Sequence, residues 1–408
     1  MSKAHVLWGI LAGSALLLVL LYLLFILLPA PVPSIVWRYF SPEEVERARR
    51  YQQVLGLVDI GAWVTKIGLL GCLWWSTAAQ LVSRRLERWT GNRYYLTILL
   101  FFLLLWFLLK IINLPFAFYS GFLLQHRWGF STQSLYSWWV DYGKNSGLDL
   151  MLSGAGTLIF FWSTARWPNL WWAVVGLLMA VWLALETWIW PVVLAPLFNR
   201  FEPLSEGPVK AMVVRLSRQA GLHIDEVWVM DASRRTTKAN AYFTGWGRTK
   251  RIVLYDNLLK DYSLEEVEAV LAHEMAHWQQ GHVWRSLILG MVAGLAFFGL
   301  LYGVLRITAP KELFPGRPYS PHLLIIVLLF GQLASFLSLP VQNAISRRWE
   351  AEADRIALEL TGNVPAMVQL QVHLARSNLQ DVAPAPFIEW LTYSHPAPWR
   401  RMEAALHQ

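Results

Sequence analysis

The sequence predicts a mainly α fold: a polytopic membrane protein with about seven membrane-crossing helices and a small α+β region. Three observations predict it. Of the 408 residues 56% are hydrophobic and only 15% charged, against roughly 25% charge in ordinary soluble domains. Seven runs are apolar over most of the ~20 residues that a crossing needs. Two polar stretches, Asn199–Arg285 and Gln342–Gln408, carry the charge and turn signals that those runs lack. The 24 tryptophans and 14 tyrosines fit interfacial aromatic belts. The net charge of +8 is read as loop charge facing lipid. No basic run sits in a recognisable motif, so membrane lipid and not nucleic acid is the expected partner. The single cysteine, Cys72, excludes an intrachain disulfide.

The first run is Val6–Leu28. It is too long for a typical signal-peptide core, and "PAPVPS" behind it is a poor cleavage context, so it is read as a retained span. "SPEEVERARRY" then opens a helix, with Ser41 as N-cap, Pro42 at the first helical position and Glu44 three after the cap. The second run is about Val54–Val82 and contains Asp59 and Lys66; the third, about Tyr95–Phe118, contains Lys110. Such charges should face protein or water, or snorkel to an interface; Asp59 and Lys66 fit either, and Lys110 is expected to snorkel. The fourth run, Leu148–Thr164, is marginal in length. The fifth, sixth and seventh are about Leu170–Leu194, Ser286–Ile307 and Leu323–Pro340. Runs six and seven form a hairpin, so the two polar stretches lie on the same side.

The first polar stretch reads as helix ("SEGPVKAMVVRLSRQAG"), strand ("EVWVMD"), basic turn, strand ("NAYFTG"), strand ("RIVLYD") and helix. That last helix opens with "SLEE", a capping box of Ser263 and Glu266. It carries "HEMAH", with His273 and His277 at i and i+4 on one face. Two imidazoles at that spacing can hold one zinc ion, and Glu274 can reach a water there as general base. Two histidines on a packing face would give the same spacing, but not the glutamate beside the first of them. His282 is rejected as third ligand: it lies about 140° around a continuous helix from His277.

The better third ligand lies after run seven, in "NAISRRWEAEADRIALEL". Glu350 and Asp354 share a face; Glu350 reads as a ligand and Asp354 as the group orienting a ligating histidine. Glu352 points nearly opposite and is expected to be solvated.

"HEMAH" followed by "SRRWEAEAD" resembles the H-E-x-x-H … E-x-x-A-D pattern of the Ste24-type, or type I CAAX prenyl, membrane zinc proteases of peptidase family M48. "PLFNRFEPL", "NAYFTGWGRTKRIVLYDNLL", "YSHPAPWRRMEA" and the loop "HRWGFSTQSLYSWWVDYGK" also look like that family's landmarks, so the resemblance runs from about residue 120 to the end. It implies a gluzincin-type metalloprotease region and seven tilted helices around an intramembrane chamber. It implies His273, His277 and Glu350 as ligands of one Zn2+, Glu274 as general base, and Asp354 behind the ligands. It also implies His395, in "SHP", as the group facing the substrate carbonyl or oxyanion. The active-site side would be cytosolic, in the cytoplasmic membrane of a prokaryote or the endoplasmic reticulum of a eukaryote. Loop charge does not decide orientation, since "RYFSPEEVERARR" and "SRRLERWTGNR" each carry four arginines.

The strand Asn240, Ala241, Tyr242 and Phe243 is read as a cleft wall able to pair an extended substrate backbone; an interior strand is the alternative. Lys238 stands where family members acting on prenylated substrates often carry histidine, which favours a prokaryotic-like member and loosens the prenyl assignment. On this reading residues 1–198 hold five crossings and 199–285 the catalytic region. Residues 286–341 form the hairpin, and 342–408 supply the third ligand. The expected activity is that of a zinc metalloendopeptidase on peptide or protein substrates, prenylated or membrane-associated. Alternatives are a quality-control protease with no prenyl requirement, and a channel or transporter with a structural metal.

Overall fold

The computed structural model describes residues 2–28, 30–222, 226–244, 251–309 and 318–408. The first helices in chain order are α1 (Lys3–Leu27), α2 (Pro42–Trp75), α3 (Ala78–Trp89), α4 (Tyr94–Phe118), α5 (Leu124–Arg127), α6 (Leu135–Arg166) and α7 (Trp171–Ile189). Next come β1 (Phe201–Pro203), α8 (Pro208–Gln219), β2 (Glu226–Met230), β3 (Ala241–Thr244), β4 (Arg251–Tyr255), α9 (Asp256–Asp261) and α10 (Leu264–Gln279). The chain ends in α11 (His282–Thr308), α12 (Leu324–Thr361), α13 (Val364–Asn378), α14 (Pro386–Thr392) and α15 (Pro398–Leu406). Among the described residues seven helical stretches are long and apolar enough to cross a membrane, as the composition predicts. Gly245, the last residue of the expected strand "NAYFTG", lies outside the described residues.

Local chemistry sets several helix starts. Both predicted capping boxes form: the Ser41 hydroxyl accepts from the Glu44 N–H, Ser263 accepts from Glu266, and each glutamate accepts the cap's own N–H. The fourth crossing is not marginal. It lies inside the 32-residue α6, which begins at Ser134, where the hydroxyl caps the Ser137 N–H. Half of the loop expected after the third crossing is therefore the first turns of α6. α4 also runs past Pro115 through a wide turn, Tyr119–Leu123, into α5. Lys110 does not snorkel. Its Nζ lies 2.8 Å from Asp149 Oδ2 on α6, and the Trp106 indole donates to the same oxygen at 3.0 Å. The pair answers the cost of a lone charge in lipid.

Apolar residues on α1 (Leu16, Leu17, Leu20), α7 (Leu177, Val181) and α11 (Ile288, Val292) face outward, as crossing helices in lipid would. Two large cores lie behind them. One joins the crossings at the end away from the sheet, with Trp8, Phe101, Trp171, Leu301 and Ile326. The other seals the segment Val36–Val45, the sheet, α8, α10, the last turns of α12, α13 and α15, through Leu216, Ile252, Leu271, Met275, Ala357 and Met402. Both polar stretches thus build a single core on one side of the bundle.

The sheet order is β1-β2-β4-β3. β2 and β4 are parallel, with Trp228 opposite Val253. β3 is antiparallel to β4, with Ala241 opposite Leu254 and Phe243 opposite Ile252, and it ends the sheet. α12 runs unbroken through Pro340 from membrane span to polar region, so a boundary at 341/342 falls inside one stiff rod. A cavity of about 550 Å3 opens between α1, α2, α12 and α14, lined by Tyr22, Arg49, Asp59, Phe336, Asp381 and Tyr393.

Candidate metal centre

α10 packs against α12, and the residues between them are small. Ala272 and Ala276 on α10, and Ala353 and Ala357 on α12, are fully buried, and Ala276 shares one apolar cluster with Ala353 and Ile356. Small side chains let two helix axes approach closely, so side chains on the shared face converge. His273 Nε2 and His277 Nε2 lie 3.1 Å apart. Glu350 Oε2 lies 3.2 Å from His273 Nε2, and Glu350 Oε1 3.3 Å from His277 Nε2. All three residues offer ligand atoms within 4.8 Å of one another.

The donor set fits a metal ion. Two imidazole nitrogens facing each other across 3.1 Å cannot both be hydrogen-bond donors, and Glu350 Oε2 is buried yet accepts no hydrogen bond. A cation answers both defects. Donor separations of 3.1–3.3 Å match the edge of a tetrahedron with arms of about 2 Å, the length of a zinc–nitrogen or zinc–oxygen bond.

α12 presents a stripe to this centre. Asn343, Arg347, Glu350 and Asp354 fall at i, i+4, i+7 and i+11, one face of the helix. Asp354 Oδ1 sits 2.9 Å from His273 Nδ1, and Arg401 holds both Asp354 oxygens, with Nε at 2.7 Å and Nη2 at 2.6 Å. Burial opposes charge on His273, but the Asp354 and Glu350 carboxylates at its two ring nitrogens outweigh it and hold the imidazole up at about 10. Upstream on the stripe, Arg347 Nη1 donates to the carbonyls of Glu389 at 2.9 Å and Tyr393 at 2.6 Å. Asn343 donates to Leu391 O at 2.7 Å. These bonds tie the end of α14 to the helix that bears Glu350.

His395 follows that clamped end. Its Nε2 is 3.3 Å from Glu350 Oε2, the ring is half-exposed, and Nδ1 is 2.9 Å from Ser394 Oγ. Partial burial, with Arg401 and His273 nearby, holds this imidazole below its ordinary value despite Glu350. Glu274 lies on α10 between the centre and the sheet edge. Burial raises its pKa, offset in part by His273 and His277 and by a hydrogen bond from the Phe243 backbone N–H. The Phe243 ring stacks on Trp278 at 4.5 Å between centroids. Asn240, Ala241, Tyr242 and Phe243 therefore lie along the edge strand nearest the centre. The Asn240 side chain turns back to accept the Ala241 N–H at 2.9 Å.

Two expectations fail here. The chain is not one helix through His282: α10 ends at Gln279, and Gly281, with φ 66°, turns it. Glycine takes that left-handed conformation without steric cost, so the 140° argument does not apply. His282 is no member of the ligand cluster, but its Nδ1 lies 3.0 Å from His277 Nδ1. Glu352 is not simply solvated either: its Oε2 lies 3.2 Å from His282 Nε2. Sequence reasoning also missed Arg401 and Arg347, whose partners lie 47 and about 42–46 residues away. Lys238 stands over the Phe130 ring, 4.3 Å from its centroid, and 3.3 Å from the Tyr51 hydroxyl.

Known proteins align with this arrangement. Residues 203–408 match the family model of peptidase family M48, and residues 24–200 match that of the CAAX prenyl protease N-terminal region with five membrane helices. CAAX prenyl protease 1 of Saccharomyces cerevisiae is 32% identical over 313 residues, covering 72% of this chain and 68% of the relative. The Bacillus subtilis protein named uncharacterized metalloprotease YhfN is 29% identical, over 90% of this chain and 86% of its own. The crystal structure of S. mikatae Ste24p superposes with a TM-score of 0.81 at 25% identity, over 99% of both chains. Fold, donor set and relatives agree: the chain belongs to peptidase family M48, as a multi-pass membrane metalloprotease of the Ste24, or CAAX prenyl protease, type.

Proposed function

We propose that the metal is zinc and that His273, His277 and Glu350 would hold it. The observation that carries this is the convergence of those three side chains beside a buried, unsatisfied Glu350 oxygen. When bound, zinc supplies Lewis-acid polarisation of the scissile carbonyl and acidifies a water. The protein's own residues do the rest. Glu274 takes a proton from the attacking water at a carboxylate oxygen and delivers it to the leaving amide nitrogen as the C–O bond forms and the C–N bond breaks. Its raised pKa suits it to carry that proton. His395, neutral and with Nδ1 against the Ser394 hydroxyl, turns Nε2–H toward the carbonyl oxygen as charge develops there. With zinc bound, Asp354, gripped by Arg401, would keep the remaining His273 proton on Nδ1 and leave the Nε2 lone pair to the metal. Among the described residues β3 ends the sheet, and an extended peptide can add along its outer edge as a strand.

Residues 1–198, 199–285, 286–341 and 342–408 act in this reading as five crossings, the base-bearing region, the hairpin and the third-ligand region. The site faces the cytosol, and a chamber among the crossings brings water and substrate to it, with the cavity beside α1 and α2 as part of its wall. The substrate is the unstructured end of a membrane-associated protein. Lys238, a cation held against Phe130 and Tyr51 near the start of β3, favours the reading in which a prenyl group is dispensable. The test pairs a prenylated CAAX peptide with its unprenylated twin, with zinc content measured on the same preparation. Equal kcat/KM for both removes the prenyl requirement; cleavage by protein stripped of zinc overturns the metal assignment.

A further inference from the structure

His277 has a second neighbour that the mechanism above does not use. His282 opens α11 just past the Gly281 turn and is buried, 3% exposed. Its ring stacks on Trp349, 5.2 Å between centroids and 15° between planes. Its Nδ1 lies 3.0 Å from His277 Nδ1, and its Nε2 3.2 Å from Glu352 Oε2. Arg285 Nη1 approaches the same carboxylate oxygen at 3.8 Å.

The protons in this row follow from one another. An ionised carboxylate only accepts, so His282 carries its proton on Nε2 and donates it to Glu352. A neutral imidazole then has an acceptor at Nδ1, and His277 must be the donor there. With its proton on Nδ1, His277 keeps the Nε2 lone pair, which points at Glu350 and His273. We propose that His282 and Glu352 are a positioning pair that fixes the tautomer and ring plane of His277. On the other ligand Asp354 does this directly; here the carboxylate acts through one intervening imidazole. This deepens the zinc reading and rests on it. The broken helix has a purpose in this light: a continuous α10 would carry residue 282 away from His277, and the Gly281 turn brings it back.

The experiment is zinc affinity by competition with a chromophoric chelator, on the full-length chain in detergent, with the melting temperature of the zinc-stripped protein recorded alongside. His282→Phe keeps a ring against Trp349 but removes the acceptor. It should weaken zinc binding about 10- to 100-fold, the usual loss when an outer partner of a metal-bound histidine is removed, with little change in the zinc-free melting temperature. His282→Asn places an amide oxygen where Nδ1 was and should recover most of the affinity. Glu352→Ala, on a side chain one-third exposed, tests the far end without disturbing the core and should weaken binding in the same direction. Unchanged affinity in His282→Phe or in Glu352→Ala overturns the proposal. So does an equal loss in His282→Phe and His282→Asn that tracks a fall in zinc-free stability, since His282 would then only pack. Zinc binding undiminished by His277→Ala overturns the zinc reading itself, and the proposal with it.

Discussion

Arg401 grips both oxygens of Asp354, and the same Asp354 Oδ1 faces His273 at 2.9 Å. One guanidinium thus holds the carboxylate that holds the His273 ring. Arg401→Met should strand a buried carboxylate, costing about 3–5 kcal/mol of stability, and should weaken zinc binding. The double variant Arg401→Met with Asp354→Asn removes the stranded charge. It should regain much of the stability and little of the zinc affinity. Thermal unfolding and chelator competition on the four proteins separate the two effects; additive losses would contradict the coupling.

Glu274 is not one of the three clustered donors, so its role is separable from metal binding. Glu274→Gln should retain one zinc per chain and lose about 10²- to 10⁴-fold in kcat, the range of a general base. Elemental analysis with a peptide-cleavage assay measures both. Residual activity near wild type would remove Glu274 from the chemistry.

Arg347 acts at a distance, through the carbonyls of Glu389 and Tyr393. Arg347→Gln should loosen the segment that bears His395, and should lower kcat roughly tenfold, a modest positioning loss, with zinc affinity unchanged. His395→Gln should cost more, about 10²- to 10³-fold, the range for one oxyanion donor, and adding Arg347→Gln to it should cost little further. A zinc affinity that falls with kcat would show that the clamp instead supports Glu350.

The His273 imidazole, held at about 10 before metal binds, stands well above its ordinary value near 6.5. A raised folded value means that its contacts with Asp354 and Glu350 contribute fully below about pH 6.5. That contribution is lost as pH climbs through about 10. Zinc needs the Nε2 lone pair, so near neutrality its uptake must expel this proton, and apparent zinc affinity should rise with pH across that window. Calorimetric titration in two buffers of different ionisation enthalpy reads the proton release; identical heats in both would contradict it.

Much of the centre is legible in the sequence because its spacing rules are short. His273, Glu274 and His277 sit within five residues, and Glu350 with Asp354 on one helical face, so periodicity places each set on its own helix, and the motif on the first gives the second its reading. The seven crossings are legible because lipid admits so few backbone solutions. What escapes has a common cause. Arg401 and Arg347 find partners through tertiary packing, and the pairing of Lys110 with Asp149 joins two helices that only the bundle brings together. His282 escapes for a local reason. The angular argument assumed an unbroken helix, whereas glycine after a polar helix end is itself a stop signal, and Gly281 was the clue available.

His273 and His277 of the cluster precede the last pair of crossings and Glu350 follows it, on a helix continuous with the seventh span. During synthesis this places a temporal order on the enzyme. As the chain leaves the ribosome, His273 and His277 emerge long before Glu350, and the three side chains cannot converge until the final hairpin is in place. On the proposed zinc reading, an unfinished or wrongly inserted copy therefore lacks a complete site, and the protease is armed only by its own correct assembly.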